Sequence, residues 1–316
     1  MVANEGVLDL VLNFICSCHH RAANIDLSTV VVFLGQPEYA PLIESMGAKA
    51  IYHPFYGVIP AKAAGNYGDS VFGTMMLLKT TSVYIAQKAG FDVIFQDADL
   101  IWIKDPIPYL RRQSHDIAFM DDGARSTRFT PYFVNSGFYY LKHSPSTDYF
   151  MEALLKSGVS EIDVTHSHQA VLTRHLLEAH DLAELQIDIL PNFEFPSGAM
   201  YHNNKPFIKD IIAYKRVPTV FHMCWTSSRI DKVTYFKELG LWFLPQEEPN
   251  VTKSASTDRT ESTGPSKDSL QYQCENPSSM LSWVNAEMKR GNKADIREKC
   301  CQIGRYFKGK PKSAPK

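Results

Sequence analysis

Two carboxylates, Asp97 and Asp99, stand one residue apart in the stretch FDVIFQDADLIWI, residues 91–103, with an apolar run on either side. Aspartate is a poor strand residue, and an ionised carboxylate is costly to bury without a partner. Side chains two apart in an extended chain point to the same side. Two like charges placed that way repel unless a cation lies between them, and hard oxygen ligands suit Mg²⁺ or Mn²⁺. The plainer alternative is an Asp-rich turn at a strand end. His222, set among Val220, Phe221 and Met223, offers a ring nitrogen for a metal, or is a hydrogen-bonded core histidine. Asn135-Ser136-Gly137 interrupts a strand-like run, where a glycine marks close approach of a ligand or of another backbone.

These residues need elements to hold them. Val2-Ala3-Asn4 has the pattern of a strand end, and apolar positions from Val7 to about Ala23 recur at helical spacing. Strands are expected at Val30–Leu34, Ala50–Tyr52, Val93–Phe95, Ile117–Met120, Phe133–Leu141, Ile187–Leu190 and Val217–Trp225. Helices are expected at 41–46, 72–89, 148–156, 168–179 and 232–239, with Met75, Leu78, Ile85, Ala86 and Ala89 as the apolar stripe of the second. Residues 56–70, rich in Gly and Pro, are expected to form a loop. Alternating strands and helices predict a layered α/β domain with a mostly parallel sheet. In such sheets ligands bind outside the carboxyl ends of the strands, and Asn4, Asp97, Asp121 and His222 all fall at or near such ends.

The chain has 316 residues, a hydrophobic content of 44% and a net charge of −1, which gives no global nucleic-acid signature. Residues 272–316 carry ten Lys and Arg against four Asp and Glu, or +6, leaving −7 for residues 1–271. A basic tail of this kind more often solubilises than binds. No apolar run reaches the roughly 18 residues of a membrane span, and Met1 opens no charged-then-apolar leader. The first strand is expected to be truncated before Val2, as in a fragment. The organisation predicted is a domain at 1–245, a flexible Pro/Ser/Thr-rich linker at 246–271 and a basic, partly helical tail at 272–316. Cys16 and Cys18 are expected to be buried thiols, while Cys274, Cys300 and Cys301 could pair in an oxidising compartment. Asn250-Val251-Thr252 matches a glycosylation sequon, at about the frequency of chance.

The segment 79–106, KTTSVYIAQKAGFDVIFQDADLIWIKDP, resembles the nucleotide-diphospho-sugar transferase family, retaining glycosyltransferases of the GT-A type that include plant cell-wall xylosyl- and arabinosyltransferases. The likeness extends to Ala3-Asn4-Glu5-Gly6, to Phe133–Gly137, and to His222 with Lys232 ten residues on and then Gly240-Leu241-Trp242, over roughly residues 2–245. It implies a GT-A, Rossmann-like, three-layer α/β/α domain that moves a sugar from a nucleotide-diphosphate sugar, a UDP-sugar by preference, to a glycan or glycoprotein. On this resemblance Asp97, Asp99 and His222 hold Mn²⁺ or Mg²⁺. The donor is expected to contact Ala3, Asn4, Lys79, Asp97, Ala98, Asn135, Ser136, Gly137 and Lys232. The alternatives are a surface lysine for Lys79 and Lys232, a β-bulge for the Asn-Ser-Gly turn and a turn residue for Asn4. The acceptor side is expected at His168, Gln169 and Trp225, with His168 standing where the family usually has Asp. Among carboxylates, Asp121 and Asp122 are the nearest candidates for a nucleophile; a front-face transfer is the expected route. The resemblance also implies a Golgi lumen setting, with membrane attachment only through an upstream anchor and no nucleic-acid partner. A transferase-like binding protein without catalysis and a haloacid dehalogenase type phosphatase are the competing readings; the latter lacks a hydroxyl residue after Asp99, where Leu100-Ile101-Trp102 is apolar.

Overall fold

The computed structural model describes residues 1–20, 25–52, 59–65, 68–112 and 114–244. The linker at 246–271, the tail at 272–316, the sequon, and Cys274, Cys300 and Cys301 lie outside the described residues. The chain opens with β1 (Val2–Ala3), α1 (Leu8–His20), β2 (Val31–Leu34), α2 (Ala40–Ser45) and β3 (Lys49–Ile51). Next come α3 (Ser70–Lys88), β4 (Val93–Gln96), β5 (Leu100–Trp102), α4 (Ile107–Arg111), β6 (Ile117–Asp121) and β7 (Val134–Leu141). The remainder is α5 (Pro145–Lys156), α6 (Gly158–Thr165), α7 (His168–Ala183), β8 (Ile187–Leu190), α8 (Gly198–Asn203), α9 (Lys205–Ile212), β9 (Val220–His222) and α10 (Arg229–Glu238).

Parallel pairing joins β1 to β2, β2 to β3, and β6 to β8. Strand β7 runs antiparallel between β4 and β6, and β5 runs antiparallel to β9. Every residue of β7 is buried, so both of its faces must be covered. Val134, Tyr139 and Leu141 enter one core with Ile117 and Phe119 of β6; Phe138 and Tyr140 enter the other with Ala118 and Met120. Helices α3, α5, α6 and α7 close the first face through residues such as Val83, Leu154, Ile162 and Leu172. Helices α1, α4, α9 and α10 close the second through Phe14, Leu110, Ile208 and Phe236, together with β5 and β9. The three-layer α/β arrangement is the one expected, while the four-stranded sheet is mixed rather than mostly parallel, because β7 runs antiparallel to both of its neighbours.

The expected stripe on α3 holds at Leu78, which is buried, but is otherwise displaced. Ile85 is exposed, and the buried face carries Met76, Lys79, Thr80, Val83 and Gln87, still at helical spacing. Three of these are polar, so a search for apolar periodicity passes over them. Gln87 donates to Thr147 Oγ1 at 2.6 Å, and Lys79 reaches the site. Strand β9 is shorter than expected, and α6, α8 and α9 went unpredicted because Gly and Pro at their ends mask short helical periods. Of the two cysteines on α1, Cys18 is a thiol pushed by burial up to about 12, whereas Cys16 is disulfide-bonded. A helical position alone does not show a cysteine's partner.

Asn13, fully buried on α1, ties that helix to the segment after α10: its Nδ2 donates to the Leu241 carbonyl at 3.1 Å and its Oδ1 accepts from Phe243 N at 2.6 Å. Asn13→Leu strands two buried backbone groups. It is expected to destabilise the domain by about 2 kcal/mol and to lower Tm by roughly 4–8 °C in a thermal melt. An unchanged Tm would show that the clasp is dispensable.

Candidate functional site

Asp97 and Asp99 occupy the tight turn between β4 and β5. The convergence expected for extended chain is achieved by that turn and by what lies opposite it. The Asp97 N–H donates to the Gly137 carbonyl at 2.7 Å, tying the turn to β7. In the β5–β9 ladder Leu100 sits directly across from His222, so the pairing register sets the imidazole beside Asp99. Ligand atoms of Asp97, Asp99 and His222 lie within 4.8 Å of one another. His222 Nε2 is 3.3 Å from Asp99 Oδ1.

Three cationic groups from three elements balance the pair. Lys79 of α3, only 1% exposed, extends its Nζ to 3.0 Å from Asp97 Oδ1 and lies over the Phe95 ring. Lys232 of α10 donates to Asp99 Oδ2 at 2.5 Å. Neither is a solvated surface lysine. Burial raises the Asp99 pKa, but the charges of Lys232 and His222 outweigh it and hold the carboxyl well below the usual range. Burial alone would lower His222 and Lys232. The neighbouring Cys224 and Asp99 carry His222 well above its ordinary value, and Asp99 raises Lys232.

The Asn-Ser-Gly turn is both a bulge and a site wall. Pairing between β6 and β7 slips where Phe119 faces Tyr139 but Met120 faces Asn135. Asn135 stays paired with Met120 while residues 136–138 have no partner in β6; Asn135 Nδ2 donates to Asp122 Oδ1 at 2.8 Å, and Ser136 N donates to Gln169 Oε1 at 3.1 Å. A Cβ on Gly137 would run into His222 Cε1 and lie 2.7 Å from Asp97 Oδ2. The φ of Gly137 is not positive, so it is the space, not backbone freedom, that excludes a side chain. Two carboxylates, one imidazole and a gap kept open by glycine fit a divalent cation with mixed O and N ligands.

The cluster opens on a cavity of about 450 Å³. Of the residues expected at the site, Asn4, Lys79, Asp97, Ala98, Asp99, Asp122, Asn135, Ser136, Gly137, Gln169, His222, Trp225 and Lys232 line it. Three do not. Ala3 is sealed in β1. Asp121 is gripped by Arg125 through two contacts of 2.8 Å; burial raises its pKa, but Arg125 and the Gly123 N–H lower it overall. His168 is buried at the start of α7, both ring nitrogens without a hydrogen-bond partner. Burial, and then the charge of Lys79, push its pKa well below the ordinary value.

Asn4 clasps the loop over β1, its Nδ2 donating to the carbonyls of Pro60 and Lys62 at 2.7 and 2.9 Å. Its Oδ1 is buried, with no hydrogen-bond partner among the described residues. Sequence reasoning missed Arg229, which lines the cavity and pairs with Asp9 of α1, and Cys224, whose Sγ accepts from Gly198 N at 3.4 Å. The interval between His222 and Lys232 was the available signal for both.

A model of the nucleotide-diphospho-sugar transferase family matches residues 30–236, more than half of the chain, and the protein belongs to that family. Its layering is the GT-A arrangement expected of the family. Among curated relatives, UDP-D-xylose:L-fucose alpha-1,3-D-xylosyltransferase 3 of Arabidopsis thaliana is 23% identical over 58% of this chain and 51% of its own length. Beta-arabinofuranosyltransferase RAY1 of the same plant is 22% identical over 76% of this chain and 46% of its own. The chain thus spans about half the length of these curated relatives. The solved glycosyltransferase GlyE of Streptococcus pneumoniae TIGR4 overlays with a TM-score of 0.42 at 15% identity, covering 70% of this chain and 52% of that one. An overlay this loose assigns no residue.

Gly137→Ala is expected to weaken Mn²⁺ binding at least about tenfold by calorimetry; undiminished binding would show that the gap is not an ion site. His168 supplies a pH test. The unfolded chain takes up a proton below about pH 6.5 that folded His168 refuses, so stability falls as pH falls through that value. In His168→Leu this loss is removed, and denaturant unfolding is expected to show the variant gaining on the wild type by at most about 1.4 kcal/mol per pH unit below 6.5. Parallel profiles would show that His168 charges in the folded state.

Proposed function

We propose that this domain transfers a sugar from a nucleoside-diphosphate sugar to a glycan or glycoprotein hydroxyl, with a divalent metal and with retention of anomeric configuration. The observation that carries the reading is the meeting of Asp97, Asp99 and His222 at the mouth of one cavity, with Lys232 and Lys79 alongside. Asp97, Asp99 and His222 would hold Mn²⁺ or Mg²⁺, which when bound offsets the charge that grows on a departing diphosphate.

The protein's own groups do the rest. Lys232 and Arg229, one helical turn apart on α10, form a cationic wall for the diphosphate. Lys79, held by Asp97, keeps positive charge beneath the metal-binding turn. The donors in the relatives' names, UDP-D-xylose and UDP-galactose, support a UDP-sugar. Asn135, oriented by Asp122, and the bulge at Ser136 and Gly137 border the space for the donor sugar.

Each wall carboxylate among the described residues is engaged: Asp97 with Lys79, Asp99 with Lys232 and His222, and Asp122 with Asn135. None is left as an unencumbered nucleophile. These contacts support a front-face route, in which the leaving phosphate oxygen takes the acceptor hydroxyl proton while the acceptor oxygen bonds to the anomeric carbon on the face the phosphate leaves. The acceptors in the relatives' names, L-fucose among them, make fucosides a sensible first panel. Membership in this family suits the Golgi lumen, where such donors are used. No helix among the described residues is long and apolar enough to cross a membrane.

Purified protein incubated with UDP-xylose, UDP-arabinofuranose and UDP-galactose is expected to release UDP only with Mn²⁺ or Mg²⁺. Asp99→Ala should lower the rate by at least about a hundredfold. NMR of the product should show the donor's anomeric configuration, and inversion would end the front-face mechanism. Binding of UDP-sugars without turnover would instead identify a sugar-nucleotide-binding protein, and hydrolysis of a sugar phosphate lacking any nucleotide would point to a phosphatase.

A further inference from the structure

We propose that the exposed face of Trp225 is the platform on which the acceptor lies, and that the acceptor is therefore a pyranose ring rather than a peptide hydroxyl. This rests on the donor reading of the cavity and deepens it. Trp225 lines the cavity and is 49% exposed. An indole has one polar atom, and here it is engaged: Nε1–H donates to the Asp122 carbonyl at 3.0 Å. What the ring can show a ligand is a π-face with no hydrogen-bonding capacity.

That face is held in place from three directions. The Trp225 backbone has φ 62°, left-handed space that a bulky residue seldom enters. Its carbonyl accepts from His202 Nε2 at 2.7 Å. Beneath it, any Cβ on Gly198 would collide with the Cys224 carbonyl and lie 3.2 Å from Trp225 Cβ. Asp122 follows β6, while His202 and Gly198 both belong to α8, so the ring is fixed between two segments of the chain. A large apolar side chain left half in water and clamped there is poorly explained by packing alone.

The ring's location selects the ligand. Asp122, which carries the indole, also orients Asn135; Asn135 Oδ1 accepts from Gly137 N at 2.8 Å, and the Gly137 carbonyl accepts from Asp97 N. Trp225 is thereby coupled to the sugar-bordering turn next to the Asp-Asp-His cluster. An aromatic face carries partial negative charge and attracts the weakly positive C–H bonds of a ring laid flat on it. A pyranose presents such a patch of C–H bonds beside the hydroxyl that reacts. A serine or threonine hydroxyl on a peptide does not.

The test compares wild type with Trp225→Leu and Trp225→Phe, each supplied with a UDP-sugar and Mn²⁺ and offered a panel of methyl pyranosides, methyl L-fucoside included, and hydroxyl-bearing peptides. Transfer to a pyranoside and hydrolysis of the donor are measured in the same reaction. The ratio of transfer to hydrolysis is expected to fall about tenfold in the Leu variant, through acceptor KM, and to recover in the Phe variant. An unchanged ratio overturns the proposal, as does a wild-type protein that glycosylates only peptides. A fall in UDP affinity that tracks the loss of transfer also overturns it, because the indole would then stack on the base. Failure of the wild type to bind or hydrolyse any UDP-sugar would instead remove the donor reading itself, an outcome distinct from all of these.

Discussion

Two ionised carboxylates facing each other in a largely buried turn set the terms for this molecule. Within 4.8 Å of each other, two unit charges at an effective dielectric of 20 repel by at least about 3 kcal/mol. The fold therefore has to bring positive charge to that spot from wherever the chain can supply it. Lys79 comes from α3, Lys232 from α10 and His222 from β9, with α3 more than a hundred residues before the other two. Each sacrifices something local to get there: α3 buries a lysine in its packed face, and β9 places a histidine where an apolar residue would pack with less difficulty.

The same demand explains the irregular strand in the middle of the sheet. Strand β7 packs on both faces, which calls for a regular ladder, yet it breaks register beside the site. The slip lets the Gly137 carbonyl fasten the aspartate turn and leaves a gap where a side chain would meet His222 and Asp97. Asn135, at the edge of the slip, takes Asp122. A bulge next to an active site re-aims side chains at the expense of pairing, and here one bulge serves the turn, the gap and the cavity wall together.

Function is argued from the site and not from the layering, since one fold supports many activities. Family membership limits the chemistry to nucleotide-diphospho-sugars. The arrangement of charge around the cavity, with acid at the turn and base along α10, suits a diphosphate bridged by a cation. Trp225, with its indole N–H bonded to the Asp122 carbonyl, lines the same cavity.

Much of this was legible in the linear chain. The Asp97/Asp99 pair, the glycine in Asn135-Ser136-Gly137 and the interval from His222 to Lys232 are short-range features, and each carries its chemistry in residue type and spacing. The strands that hold them announce themselves through β-branched runs, because local periodicity reflects burial directly. The face of α3 was misjudged because Lys79, Thr80 and Gln87 are buried for the sake of distant partners, and hydrophobic periodicity cannot register a polar residue with a partner inside. His168 and Trp225 looked alike as expectations, yet one is sealed in the core and the other stands at the cavity. The sequence by itself determined which groups are available for chemistry and which segments are rigid. Only the tertiary structure decided which of those groups meet, because that depends on strand register and helix packing across long separations, and no local pattern encodes either.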